Sequence, residues 1–254
     1  MDDQLPYVFV HGLFGQFDDP AVFSALAPAA CSAPDLIGYG SEAPDIQVTT
    51  QGQVDALAAH VDSCHRSVPV NLVAHSIGAV YAFAFADAYP HRVASITSVE
   101  GNFSLADAFW SQSIAALEQE TARKTIAQKL ADPASFLLSD GMPITPALLR
   151  RAETALSFQP WQTVWQSARA VVATTAAPEY ERQLRRVFAR TRVFLMAGER
   201  SVSEWAVPQW ATSSAQGLRV IAGVGHMMML ENPTAFGRTL RELTFSVRQV
   251  RGDQ

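Results

Sequence analysis

Short apolar runs separated by longer stretches of helical periodicity set the rhythm of this chain. Tyr7-Val8-Phe9-Val10, Asn71-Leu72-Val73-Ala74, Val93 to Val99, Val193-Phe194-Leu195-Met196 and Leu218 to Ala222 are compact, apolar and partly β-branched. That pattern predicts strands buried on both faces. The segments between them carry helix signals. Asp19-Pro20 and Asn232-Pro233 each offer an N-cap followed by proline at the first helical position. Strand then helix, repeated, predicts an α/β fold with a mostly parallel central sheet flanked by helices.

One stretch breaks the rhythm. From about Asn102 to about Arg190 no run reads as a strand. Ser104-Leu105-Ala106-Asp107 resembles a capping box. Trp110, Ile114 and Leu117 follow at helical spacing, and Thr145-Pro146 opens another helix with Leu148, Ala152 and Leu156 on one face. Trp161 and Trp165 are one turn apart, and Tyr180, Leu184 and Phe188 form a further stripe. Asp132-Pro133 and Ser139-Asp140-Gly141-Met142-Pro143 are breaks between helices. The expected organisation is therefore a core of residues 1–101 and 191–254 with an all-helical insertion, residues 102–190. Insertions at the carboxyl ends of strands sit over the ligand crevice of an open α/β sheet, so this one reads as a cap or lid. The alternative is a helical subdomain that only adds stability.

Composition narrows the class. At 254 residues, 48% apolar and 17% charged, the chain suits one large domain with a full core and excludes intrinsic disorder. A formal net charge of −5 argues against nucleic acid or an anionic membrane as partner. No apolar run approaches the roughly 20 residues of a membrane span, and Met1-Asp2-Asp3-Gln4 lacks the basic start of a secretory signal. Cys31 and Cys64 show no paired or metal-binding pattern, which points to free thiols in a reducing cytoplasm.

The strongest chemical signal is Leu72-Val73-Ala74-His75-Ser76-Ile77-Gly78-Ala79. An apolar strand runs into a small-x-Ser-x-Gly turn and then a helix. Such a tight turn pushes Ser76 out at the end of the sheet, and small residues two before and two after it relieve backbone crowding. Ala74 stands where glycine is usual. A serine nucleophile needs a base near neutral pH, and His226, in Gly223-Val224-Gly225-His226-Met227 after the last strand, is the best candidate. His60 and His65 fall on a helix, His91 follows Pro90 in a turn, and His75 is expected to face away from its neighbour Ser76. Val8-Phe9-Val10-His11-Gly12-Leu13 is a strand ending in a His-Gly turn. Acyl transfer needs backbone N–H groups aimed at the developing oxyanion. Ile77, at a helix start, can supply one and Leu13 the other.

These pieces together resemble the α/β-hydrolase fold with a helical cap. The resemblance rests on Phe9 to Gly15, on Asp35-Leu36-Ile37-Gly38-Tyr39-Gly40, on the Ala74 to Gly78 turn, and on Gly225 to Pro233, in the family's order. It implies Ser76 as nucleophile, His226 as base, and Leu13 and Ile77 as oxyanion-hole residues. By the same resemblance Asp35 shapes a loop and Glu231 starts a helix.

The triad acid departs from the family pattern. Relatives commonly carry aspartate after the strand that follows the cap. Here that loop reads Met196-Ala197-Gly198-Glu199-Arg200-Ser201, with serine at the expected position. Glu199 and Glu100 are the two replacements. Glu100 ends an apolar strand beside that of Ser76, where a partly buried carboxylate needs a partner, and His226 is the obvious one. Certain haloalkane dehalogenases place their acid after that strand. Dehalogenases and epoxide hydrolases use aspartate at the nucleophile position, so Ser76 argues against their chemistry.

Substrate clues are few. Phe14, Trp110, Trp161 and Trp165 are candidates for an apolar pocket, with core packing as the competing role for aromatics at this spacing. Met227, Met228 and Met229 follow the base, and Arg182, Arg185, Arg186 and Arg190 read as a solvated helix face. No phosphate loop, dinucleotide fingerprint or metal-ligand cluster is evident, so no cofactor is expected. The sequence thus points to a serine hydrolase acting on small, fairly apolar carboxylic esters. The alternatives are a C–C bond hydrolase, lyase or perhydrolase on the same triad, and a non-catalytic binding protein of the same fold.

Overall fold

The structure is a computed structural model that describes residues 5–41, 47–66 and 68–249; the acidic run Met1 to Gln4 lies outside them. In chain order the core opens with β1 (Tyr7–Val10), α1 (Pro20–Leu26), β2 (Cys31–Ser32), α2 (Thr50–His65), β3 (Val70–His75), α3 (Gly78–Ala88) and β4 (Val93–Val99). Six helices follow: α4 (Phe109–Ala115), α5 (Gln119–Leu130), α6 (Pro133–Ser139), α7 (Pro146–Ser157), α8 (Trp161–Thr175) and α9 (Pro178–Arg190). The chain then completes the sheet with β5 (Arg192–Gly198), α10 (Gln209–Ser214), β6 (Gly217–Ile221), α11 (Met228–Glu231) and α12 (Pro233–Gln249).

The predicted caps form. Asp19 Oδ1 accepts from Ala21 N–H at 2.8 Å, Thr145 Oγ1 from Leu148 N–H at 3.2 Å, and Asn232 Oδ1 from Ala235 N–H at 3.0 Å. Each satisfies an orphan donor of a helix start that proline already favours. Between β4 and α4, Asp107 Oδ2 accepts from Phe103 and Ser104 N–H, while Ser104 Oγ accepts from Ala106 N–H.

The sheet has the order β2-β1-β3-β4-β5-β6, and every neighbouring pair is parallel. Parallel strands need crossovers, and these cover both faces. Val8, Val10, Leu72, Ala74 and Ile96 pack in one buried cluster with residues of α2, α3 and α8. Tyr7, Phe9, Val73, Val99 and Phe194 pack in a second with residues of α1, α7 and α12. Two strands depart from the expected pattern. β2 pairs through only two residues, too short to show as an apolar run. β6 is an edge strand, and Leu218 and Val220 are exposed instead of buried on both faces. The arginines of α9 form the expected ionic surface. Arg182 and Arg185 pair with Glu179 and Glu181, while Arg186 and Arg190 reach Asp87 on α3.

This strand order reverses direction between β1 and β3, so the crevice beyond their carboxyl ends is the natural ligand site. The His11-Gly12-Leu13 turn leaves β1 there, and Ser76 leaves β3. Gly78 lets the start of α3 approach that turn. A methyl group on Gly78 would overlap the carbonyl oxygens of Val10 and His11. Gly78→Ala should therefore cost about 1–3 kcal/mol as an overpacking change. Urea unfolding of the two proteins measures it directly; an unchanged midpoint would contradict this packing.

Candidate active site

Parallel register brings the first two candidates together. His75 pairs with Val99 across β3 and β4, so Ser76 and Glu100 leave adjacent strands at the same level. Ser76 N–H donates to Val99 O and Glu100 N–H to Met196 O, each at 3.0 Å. Both residues adopt left-handed backbone, with φ 52° at Ser76 and 42° at Glu100. Such conformations cost a non-glycine residue about 1–3 kcal/mol and persist only where the surroundings impose them. Gly101 makes the second turn possible, because a Cβ there would overlap Ala79 Cβ and crowd Ser98 Oγ.

Glu100 is 5% exposed and its carboxylate is fully engaged. Oε2 accepts from His226 Nδ1 at 2.6 Å, while Oε1 accepts from Ser201 Oγ at 2.6 Å and from Gly198 N–H at 2.8 Å. Burial pushes the Glu100 carboxyl up, but the hydrogen bond and charge of His226, aided by Ser201 and Gly198, hold it below its ordinary value. The same pair acts on His226. Burial pushes its imidazole down, yet the Glu100 hydrogen bond and charge, with the charge of Asp140, leave it raised above 6.5. Since a carboxylate only accepts, Nδ1 carries the proton and neutral His226 keeps its lone pair on Nε2.

Two further histidines, His11 at the end of β1 and His75 at the end of β3, stay neutral. His11 is buried and pushed down to about 4 by desolvation. Its Nδ1–H donates to Gly12 O at 2.9 Å and its Nε2 accepts from Leu36 N–H at 3.4 Å. The ring thereby ties the His-Gly turn to the Asp35 loop, where Asp35 Oδ2 accepts from Ser41 N–H and Oγ at 2.9 Å. His75 is held well below its ordinary value by burial and by the charge of His226. Its Nε2–H donates to His226 O at 3.1 Å, and the two rings lie 4.5 Å apart. Gly12 makes room for it; a Cβ there would fall 2.7 Å from His75 Nδ1. Of these three imidazoles, only His226 is hydrogen-bonded to a carboxylate, which separates their roles by environment.

A second network fixes the loop of His226. Arg200 Nη2 and Nη1 donate to Glu231 Oε2 and Oε1 at 2.7 and 3.1 Å. Arg200 also donates to Gly223 O and Asp140 O, and Glu231 Oε2 accepts from Gly225 N–H at 3.1 Å. Asp140, at the end of α6, accepts from Met227 N–H through Oδ2 at 3.2 Å. Burial raises the Asp140 carboxyl, offset in part by the charge of His226.

A cavity of about 180 Å³ joins these groups. Ser76, Glu100, His226, Leu13, Ile77, Phe14 and Trp110 all line it, with His75, Asn102, Asp140 and Ser201. The hydroxyl of Ser76 and the N–H groups of Leu13 and Ile77 have no hydrogen-bond partner among the described residues. Trp161 and Trp165, sequence candidates for the pocket, are not on this wall. Their rings lie 6.4 Å apart and pack against the core cluster of α8, so their one-turn spacing reflects core packing. Glu199 is also elsewhere, accepting from Gly223 N–H at 2.8 Å. Sequence reading missed His75, Asp140 and the part of Ser201. Asp140 showed only as a helix break, and the bond from His75 to the His226 carbonyl joins two loops far apart in the sequence. Among the described residues no group of three or more His, Cys, Asp or Glu is arranged to hold a metal ion.

With fold and geometry in view, comparison with known proteins gives the class. A model described as the alpha/beta hydrolase family matches residues 7–239, and the chain belongs to that family. Its superfamily is generally one of hydrolases. A search of curated protein sequences finds no significant match. Similar solved structures include a carboxylesterase of the ammonia-oxidizing thaumarchaeon Nitrososphaera gargenis, 17% identical, covering 97% of this chain and 92% of its own, with TM-score 0.69. A loop variant of a haloalkane dehalogenase from Bradyrhizobium elkanii is 19% identical over 100% of this chain and 93% of its own, with TM-score 0.65. Est816, described as an N-acyl homoserine lactone degrading enzyme, is 19% identical over 94% and 92%, with TM-score 0.64. At such identities these likenesses show the fold alone.

The Glu100–His226 pair predicts a pH signature. His226, raised on folding, contributes stability below pH 6.5 that is lost as pH rises through its folded value. Glu100, lowered on folding, contributes above 4.5 and loses it as pH falls through its folded value. Glu100→Gln should move the His226 titration to lower pH, read from its ring-proton NMR shifts. An unmoved titration would show that Glu100 does not hold this imidazole.

Proposed function

We propose that this protein is a serine hydrolase that cleaves small carboxylic esters, apolar around the scissile carbonyl, through an acyl-enzyme. The observation that carries the proposal is the 2.6 Å hydrogen bond from His226 Nδ1 to buried Glu100, on the wall of the cavity that Ser76 also lines. The bond fixes the tautomer that leaves Nε2 able to take a proton.

In this reading His226 Nε2 removes the Ser76 hydroxyl proton as Oγ bonds to the ester carbonyl carbon. The oxyanion collects on the N–H groups of Leu13 and Ile77, both without other acceptors, and Ile77 adds the positive end of α3. The bond from carbon to the alcohol oxygen breaks, and the alcohol leaves with the proton held by His226. Water then attacks the acyl carbon, giving its proton to His226. The Oγ–acyl bond breaks, Ser76 regains a proton, and the carboxylic acid departs. Glu100 stays ionised throughout and stabilises the imidazolium. The helices of residues 102–190 supply Trp110, Phe136 and Asp140 to the cavity and are read as its cap. Serine at position 201, the feature behind a non-catalytic alternative, becomes a donor to Glu100 and leaves the acid's role to that residue.

Turnover of para-nitrophenyl esters of graded acyl length tests this assignment. Ser76→Ala and His226→Ala should each abolish hydrolysis by on the order of 10³-fold or more. Glu100→Gln should lower kcat by on the order of 10³ to 10⁴-fold with the fold intact. Glu199→Gln should stay close to wild type. Equal, small effects of both glutamate changes would sink the assignment of the acid.

A further inference from the structure

Lys129, in the last turn of α5, is an ammonium that no anion of the described residues answers. Its Nζ lies 3.8 Å from the centroid of the Trp110 ring and 5.9 Å from that of Phe14. Those two rings meet edge to face at 6.2 Å, and both line the cavity. No carboxylate and no hydrogen-bond acceptor meets Nζ among the described residues. The chain has only one other lysine, Lys124, which pairs with Glu120 at 3.5 Å. Lys129 is half-buried, and burial pushes its ammonium down. Its Nζ still meets solvent, so the ammonium is held by the two aromatic faces and by water and is open to an anion.

The cavity's other charges give it a direction. Glu100, Asp107, Asp140 and Glu204 line the wall; protein donors engage Glu100, Asp140 and Oδ2 of Asp107, while Asp107 Oδ1 has no partner among the described residues. Trp110 is 39% exposed, and Lys129 touches the cavity's lining through Trp110 and Phe14 without lining the cavity itself. A substrate anion is repelled from these carboxylates and attracted to the ammonium of Lys129. The flexible lysine stem can lift its point charge off the indole to meet it.

We propose that Lys129 is a specificity-determining residue that binds a free carboxylate of the substrate, orienting an ester whose scissile carbonyl points to Ser76. Half-esters of dicarboxylic acids are the simplest members of this class. The inference deepens the serine-esterase reading and rests on it.

The test separates the two. Monomethyl adipate and neutral dimethyl adipate are titrated calorimetrically into the Ser76→Ala protein, where no chemistry is needed. The charged ligand should bind about tenfold or more tightly, as a charge-assisted hydrogen bond allows. Lys129→Met should erase that preference and leave dimethyl adipate unchanged, while Lys129→Arg should keep most of it. Turnover of mono-para-nitrophenyl adipate against its methyl ester should show the same ratio in KM with kcat little altered. Para-acetoxybenzoate against para-acetoxybenzamide asks whether the carboxylate belongs on the alcohol side instead; a preference in either series supports the proposal. Equal binding of charged and neutral ligands in every series, or a preference that survives Lys129→Met, overturns it. Charge-selective binding without any ester turnover would keep Lys129 as an anion site and remove the esterase reading alone.

Discussion

A carboxylate buried at the end of a sheet is tolerable only if something donates to it, and here that requirement organises the site. Glu100 has no access to bulk water worth counting, so its two oxygens are met by an imidazole, a hydroxyl and a backbone amide. The donors come from two places in the chain: His226 from the loop after β6, Ser201 and Gly198 from the end of β5. Removing any one leaves a lone pair unanswered in a low-dielectric setting. The loops after β5 and β6 are therefore drawn in by the same charge that sets the tautomer of His226.

The strained turns follow from the same geometry. Ser76 and Glu100 end neighbouring parallel strands in register, and both turn through left-handed backbone. The strain is held by the sheet, whose next strand accepts a backbone hydrogen bond from each turn, and by small residues where helices approach. Rigid strands thus place side chains of two different loops at one level, which a site built on loops alone does not achieve. The Arg200–Glu231 pair then clamps the His226 loop, and Asp140 joins that loop to the helical segment above it.

Much of this was legible in the sequence. Apolar runs marked β1, β3, β4 and β5 because buried parallel strands leave no polar side, and the Ser76 turn showed in its small residues. β2 was invisible because two residues make no pattern. β6 was found but misjudged, since an apolar edge strand reads like a central one. The long-range partners were harder. Ser201 was seen as a missing aspartate, and only the fold shows it donating to the glutamate from another strand. His75 was set aside as a base, and only the fold shows it bonding the backbone carbonyl of His226. Trp161 and Trp110 had equal standing as aromatics on helices, and only packing separates the core residue from the one at the cavity.

The central claim is that Ser76 is activated by the His226–Glu100 pair. Intact-mass measurement after exposure to a fluorophosphonate tests it most directly. The account predicts one adduct per chain in the wild type and none in the Ser76→Ala protein. A folded wild-type protein that stays unlabelled, or an adduct that persists without Ser76, would contradict it.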